Sequence, residues 1–378
     1  MLYIHIPYCK GKCIYCDFYS TGLSNRKEFI KALIAELSSR GKELDKCLSS
    51  IYIGGGTPSL LTPEEFRFLA DELHSFFTSR GISFSDGFEF TVEVNPEDVD
   101  PERISAWKEV GVNRISMGVQ SLNDEELAFL KRRHDVDKAL RSIDLIASNF
   151  DNFSLDFIYA IPGQTIDALN NTLSRALRFQ PPHISVYALT YEWNTPLDVL
   201  RGQGRISAAS DDVYNLMDRK ISEQLREYGM ERYEISNYAL PGYRAKHNAG
   251  YWKFRPYLGL GPGASSYNGL NIRRSNPPDL KGYIKHFIGP TQSAGSFYEE
   301  EILDEENRLI EFLMVSLRCR EGIDIKEFEE RFGNDSLSTL LQKCERFIAA
   351  GDLIVEGNRL HLSEKGIPIS DFILESII

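Results

Sequence analysis

Leu2-Tyr3-Ile4-His5-Ile6-Pro7-Tyr8-Cys9-Lys10-Gly11-Lys12-Cys13-Ile14-Tyr15-Cys16 opens the chain with a short strand that stops at a proline and runs directly into three cysteines. Downstream, Phe29, Ile30, Leu33, Ile34 and Leu37 repeat at helical spacing. A second strand, Ser50–Ile53, leads straight into Gly54-Gly55-Gly56-Thr57-Pro58. Thr62, Pro63 and Glu65 then occupy the N-cap, N1 and N3 positions of a new helix, a capping-box pattern. Strand, loop, helix, strand and helix in that order predict a β–α–β repeat.

The repeat continues. Phe88–Asn95 alternates, with Phe88, Phe90, Val92 and Val94 on one face and Glu89, Thr91, Glu93 and Asn95 on the other. A helix around Ile104–Val110 precedes a strand from Val112 to Gln120. Phe153–Ile161 is a strand carrying Asp156, Thr165–Phe179 a helix, and His183–Leu189 a sixth strand. Six alternations predict an α/β fold, a partial (β/α)6 TIM-type barrel over residues 1–200. Chemistry in such barrels gathers at the C-terminal ends of the strands. The cysteine loop, the glycine loop, Glu93 and Gln120 all fall there.

Residues 201–298, rich in Gly, Pro and Tyr, read as an irregular extension that finishes the sheet and lays loops across it. Residues 299–378 change texture. Helices at Asn307–Arg318, Ile325–Phe332 and Leu337–Ala349 precede Leu353–Val355 and Leu360–Leu362, which flank the turn Glu356-Gly357-Asn358-Arg359. That pattern predicts a helical, winged-helix-like module.

Composition narrows the function classes. With 42% hydrophobic and 26% charged residues, the 378-residue chain has globular values, which excludes disordered and fibrous classes. Its formal charge of −12 argues against a general nucleic-acid surface and against an anionic membrane surface. No segment approaches the roughly 20 uninterrupted apolar residues of a membrane span. The N-terminus lacks the basic, apolar and small-residue succession of a signal peptide, so a cytoplasmic location is expected.

Cys9, Cys13 and Cys16 form C-x3-C-x2-C, whereas Cys47, Cys319 and Cys344 are scattered and read as buried thiols. A disulfide framework belongs to small secreted domains. Soft thiolates suit zinc or an iron–sulfur cluster. Structural zinc wants four protein ligands, and no second cysteine pair stands nearby, which leaves His5 as the available fourth. A [4Fe–4S] cluster held by three thiolates instead leaves one iron open to a small molecule.

With that spacing the chain resembles the radical S-adenosylmethionine (SAM) superfamily. The resemblance implies a [4Fe–4S] cluster on Cys9, Cys13 and Cys16 whose open iron is chelated by SAM, and reductive SAM cleavage to a 5′-deoxyadenosyl radical as the associated chemistry. Finer strings are similar to the branch that holds coproporphyrinogen dehydrogenases (HemN) and haem chaperones (HemW). They are Tyr3 to Cys9, Gly54 to Ser59, Val92-Glu93-Val94-Asn95-Pro96, Ser116-Met117-Gly118-Val119-Gln120, Leu155-Asp156-Phe157-Ile158-Tyr159 and Gly322-Ile323. On the family pattern Gly55, Gly56 and Thr57 would bind the methionyl part of SAM. Glu93, Gln120, Arg132 and Asp156 would contact it too, and Tyr3 would stack or pack near the cluster. Arg132 departs from the family's Leu-Gly-Arg-x-His, because Lys131 stands at the glycine and Arg133 competes.

The HemN type carries a fourth cysteine two residues after the third, where this chain has Phe18. It also has a long N-terminal extension, and here the first cysteine is already residue 9. His247-Asn248-Ala249-Gly250-Tyr251-Trp252 is the complete H-N-x-x-Y-W string that the resemblance links to haem, with His247 the candidate axial ligand. The implied function is haem binding and delivery to a haemoprotein acceptor, with an electron donor for the cluster and haem as cargo. The alternative is an oxygen-independent coproporphyrinogen III oxidase. Its four-carboxylate substrate would need cations, for which Arg273 and Arg274 are candidates.

Overall fold

Strand alternation decides the architecture. The computed structural model describes residues 1–290 and 295–378. Its main sheet is built from β1 (Leu2–Ile6), β2 (Cys47–Gly55), β3 (Ser83–Val94), β4 (Arg114–Gln120), β5 (Phe153–Tyr159), β6 (His183–Ala188), β7 (Glu231–Glu234), β8 (Asn237–Ala239) and β9 (Leu258–Leu260). The spatial order is β7-β8-β6-β5-β4-β3-β2-β1-β9. The first six strands are parallel neighbours, and β9 adds parallel to β1. At the opposite edge β8 and β7 are antiparallel. The sheet is thus a partial barrel with two edges.

One face of each strand is apolar: Ile51 and Ile53, Phe90 and Val92, Ile115 and Met117, Leu155 and Phe157 are all buried in the large core. Helices Arg26–Arg40, Pro63–Arg80, Pro101–Glu109, Val136–Ala147 and Ile166–Leu177 cover that face, adding Phe29, Phe66, Trp107, Ile143 and Leu173. Full burial of each such side chain is worth about 1.5–3 kcal/mol. Period-two alternation then forces the intervening residues inward. Ser50, Tyr52, Glu89, Glu93, Arg114, Ser116, Asp156 and Ser185 are the polar set so placed. The capping box at Thr62 and Glu65 forms as predicted.

The 201–298 segment is more regular than expected. It holds a helix, Asp211–Glu227, that buries Met217, Ile221 and Leu225, and it contributes β7, β8 and β9 to the main sheet. Helix Leu280–Ile288 packs on Arg26–Arg40 through Tyr283, whose hydroxyl donates to buried Glu36 at 2.6 Å. The strands β7, β8 and β9 span only three or four residues each, too short to show a period in the sequence. The boundary at 298 also falls inside a small sheet, because Glu299–Ile302 pairs with Ile272–Ser275.

The C-terminal module has its own core, centred on Phe312, Leu317, Phe328, Phe347 and Leu360. Helix Glu305–Arg318 is followed by Ile325–Ala350, interrupted at Gly333 (φ 84°, ψ 165°), so three helices precede the hairpin Leu353–Glu356/Arg359–Leu362. A further helix, Ser370–Ile377, closes it. Of the scattered cysteines only Cys344 is buried, and Cys47 is exposed at the start of β2.

Candidate functional site

The C-terminal ends of β1 to β6 surround a cavity of about 770 Å³. Cys9, Cys13 and Cys16 sit on the loop after β1, all half-buried and all lining it. The loop is pinned by backbone bonds from Cys9 to Thr21 and from Thr21 to Pro7. Among the described residues, no three His, Cys, Asp or Glu side chains converge on one point as for a single metal ion. Three thiolates that each bind a separate iron of a cubane have no need to converge.

Arg132 reaches the same loop. Its Nη1 lies 3.6 Å from Cys13 Sγ, and Nη2 donates to Asn95 Oδ1 and the Gly118 carbonyl, each at 2.7 Å. Burial opposes its charge, but Tyr15, Cys13 and Glu97 outweigh it and raise its pKa further. Its Nε is buried without a partner, a polar atom left for a ligand to satisfy. The competitor Arg133 turns to Glu97 at 3.6 Å, which His134 also holds. Burial of Glu97 is outweighed by the hydrogen bond from His134 and the charge of Arg132, which bring its pKa down to about 2.

The glycine loop is tied to the cysteine loop by a Gly56 N–H bond to the Ile6 carbonyl. A Cβ on Gly55 (φ 106°) would lie 2.5 Å from His5, and one on Gly56 would lie 2.6 Å from the Tyr8 carbonyl. Both positions therefore need a residue without a side chain. Thr57 accepts from Asn95 at 3.3 Å. Gly55, Gly56 and Thr57 all line the cavity.

Glu93, deep in the cavity, accepts from Tyr52 Oη at 2.7 Å and from Gly55 N at 3.0 Å. Burial pushes its pKa up to about 7, against the pull of those two bonds. Asp156 accepts from Ser116 and Ser154, each at 2.8 Å, and burial raises its pKa as well. Gln120 also lines the cavity, at positive φ (68°) where β4 and β5 slip register. Cysteines, glycine loop, Glu93, Gln120, Arg132 and Asp156 thus share one cavity. Sequence reading missed Tyr52, Asn95, Arg114 and Asn248, which line it as well. For the first three, strand alternation was the available signal.

Two expected site residues lie elsewhere. Tyr3 does not line the cavity: its ring stacks behind Tyr52 at 6.2 Å and its hydroxyl meets His5 Nδ1. His247 is 0% exposed, with Nδ1 on Ser50 and Nε2 on the Tyr251 hydroxyl, both at 2.8 Å. Burial, then the N-terminal charge and Arg114, bring its pKa down to about 3. With both ring nitrogens engaged inside the protein, it does not line the cavity. Arg273 and Arg274 are likewise outside the cavity. Arg273 is bidentate to Glu311 at 2.7 and 2.8 Å, and Arg274 is held by Glu43 and Glu300.

A parallel β/α barrel with three cysteines after its first strand and a glycine turn after its second is the arrangement of a radical SAM protein. Residues 3–176 match the Radical SAM superfamily and residues 303–369 the HemN C-terminal domain. Among solved structures the fold is similar to that of the coproporphyrinogen III oxidase HemN from Escherichia coli. The TM-score is 0.81 at 20% identity, covering 100% of this chain and 89% of that one. The sequence is 32% identical to the haem chaperone HemW of Lactococcus lactis over 100% of this chain and 96% of the relative. It is 34% identical to HemW of Bacillus subtilis over 93% and 92%. The chain belongs to the haem chaperone HemW family. Among the described residues no helix is long and apolar enough to cross a membrane.

Proposed function

We propose that this protein binds haem and delivers it to haemoprotein acceptors, with a SAM-binding [4Fe–4S] site at the barrel mouth assisting or gating the transfer. The observation that carries this reading is similarity to HemW chaperones along the whole chain, 32% over 379 residues in one case. In the cavity, Cys9, Cys13 and Cys16 would hold the cluster, and the chemistry such a cluster supplies with SAM is one-electron reduction. Gly55, Gly56 and Thr57 let a ligand's methionyl end approach the backbone. Glu93, Gln120 and Asp156 offer acceptors to ribose hydroxyls or an ammonium, and Arg132 offers a carboxylate partner beside Cys13.

Two features speak against the oxidase reading. Phe18, 68% exposed at the cavity edge, occupies the position of the HemN type's fourth cysteine. Arg273 and Arg274, the cations proposed for propionates, are neutralised by glutamates away from the cavity.

The test is to reconstitute the cluster anaerobically, titrate haem by absorption spectroscopy and follow its transfer to an apo-haemoprotein. Conversion of coproporphyrinogen III with SAM and a reductant is assayed in parallel. Stoichiometric haem binding and transfer without porphyrinogen turnover is the expected result. Porphyrinogen turnover with no stable haem complex would sink the chaperone reading.

A further inference from the structure

The H-N-x-x-Y-W string forms helix Lys246–Trp252, and this helix lies against β2 inside the partial barrel. Its N-terminus is capped from within the barrel by Glu89, whose carboxylate accepts from Lys246 N at 2.9 Å and His247 N at 3.1 Å. The His247 ring stacks on Tyr52 at 5.1 Å and 28°. Tyr52 in turn donates to Glu93. A second line of contacts leaves the same helix start. Ala245 N donates to Tyr233 Oη, which meets His183 Nε2; His183 Nδ1 meets Ser154 Oγ, and Ser154 donates to Asp156. Asn248, one residue beyond His247, itself lines the cavity. No hydrogen bond to its carboxamide is found among the described residues. That group has both a donor and an acceptor to offer.

We propose that helix Lys246–Trp252 is the floor of the SAM pocket, with Asn248 a direct SAM contact and His247 a positioning residue that sets Glu93 through Tyr52. The proposal rests on the reading of the cavity as a SAM site. It assigns the motif to SAM rather than to haem ligation. The division of labour follows from the geometry: Asn248 faces the cavity, while His247 is locked between Ser50 and Tyr251 and touches it only through Tyr52. A ring fixed at both nitrogens is a rigid backing plate. It holds the Tyr52 hydroxyl where Glu93 needs a donor.

The experiment uses the full-length, cluster-reconstituted protein. SAM affinity is measured by equilibrium dialysis and haem binding by absorption for wild type, Asn248→Ala, Tyr52→Phe and His247→Ala. Thermal unfolding establishes that each variant is folded. Asn248→Ala and Tyr52→Phe keep the buried imidazole and carry the test if His247→Ala fails to fold. The expected result is SAM binding weakened about tenfold in each folded variant, with haem stoichiometry unchanged.

The pH profile separates positioning from simple support. Glu93 is faced by Tyr52 and the Gly55 amide on β2, Arg114 on β4, Asp156 on β5, Tyr3 on β1 and Tyr251 on the helix. Removing the Tyr52 hydroxyl withdraws a donor from the carboxylate, so the midpoint of SAM binding should move to higher pH in Tyr52→Phe. SAM affinity within threefold of wild type in folded Asn248→Ala and Tyr52→Phe overturns the proposal. So does loss of haem from His247→Ala with SAM affinity intact, which would return His247 to the haem. A wild type that binds haem but takes up no SAM overturns the SAM reading and this proposal with it, leaving the haem chaperone reading standing.

Discussion

At the residue scale, the polar interior of the barrel is maintained by pairing some of the charges it buries and neutralising others. Glu93 is held near neutrality, Asp156 is surrounded by serine hydroxyls, and His247 is kept uncharged. The last has a measurable consequence. A folded-state pKa of about 3 against the ordinary 6.5 means that the unfolded chain takes up the proton first. The stabilisation is complete above pH 6.5 and is lost as pH falls toward 3. His5 and His183 are lowered in the same direction, so the acid limb is shared among three buried imidazoles, and Glu93, raised to about 7, opposes it because the folded state takes up that proton first. Each contributes a slope of at most about 1.4 kcal/mol per pH unit in that window. His247→Phe should flatten the acid limb between pH 6 and about 4.5 in urea denaturation, while Glu97 adds to that limb as pH falls from 4.5 toward about 2. An acid limb identical to wild type would mean that His247 is not buried neutral.

At the element scale, the site depends on two loops pressed together after β1 and β2. The Gly56 amide bonds the Ile6 carbonyl, and the space where a Cβ would stand belongs to the Tyr8 carbonyl. Backbone has nowhere to retreat here, because Tyr8 is itself buried and the next residue is Cys9. Gly56→Ala should therefore cost about 1–3 kcal/mol, the usual range for overpacking. It should also lower the iron and sulfide recovered on reconstitution. Gly202→Ala is the control, since a Cβ there meets nothing within 4 Å. Equal urea midpoints for the two variants would contradict the close approach of the loops.

At the scale of the whole molecule, the motif helix joins the barrel to the C-terminal module. Trp252, at its far end, lies under the Arg318 guanidinium at 4.9 Å. Arg318 Nε pairs at 2.6 Å with Glu234 on β7, whose side chain is 0% exposed. Two residues past Trp252, Phe254 stacks on Phe312 of the module at 5.6 Å and 11°. One stretch of chain thus touches Glu89 and Tyr52 in the barrel interior at its start and the second core at its end. Arg318→Ala would strand the buried Glu234 charge. A loss of about 3 kcal/mol is expected, the low end for a broken buried pair because Arg318 is partly exposed. Calorimetry should show the C-terminal module melting earlier than the barrel. A single unshifted transition would place the coupling elsewhere.

Sequence alone was sufficient for whatever is encoded locally. The strand–helix repeat, the Thr62 capping box and the alternation of β3 all follow from spacing over a few residues, and each appears in the structure. The cysteine trio and the glycine turn were legible for the same reason: their neighbours in space are largely their neighbours in the chain. What tertiary structure decided is which side chain faces which. Arg132 and Arg133 both line the cavity, yet it is Arg132 that reaches Cys13 while Arg133 pairs with Glu97. Tyr52, Arg114 and Asn248 meet in one cavity from three distant segments, a pairing that no local pattern records. His247 is the sharpest case. Its residue type suits an iron ligand, yet burial with both nitrogens engaged is a property of the packed fold, set by Ser50, Tyr52 and Tyr251 together.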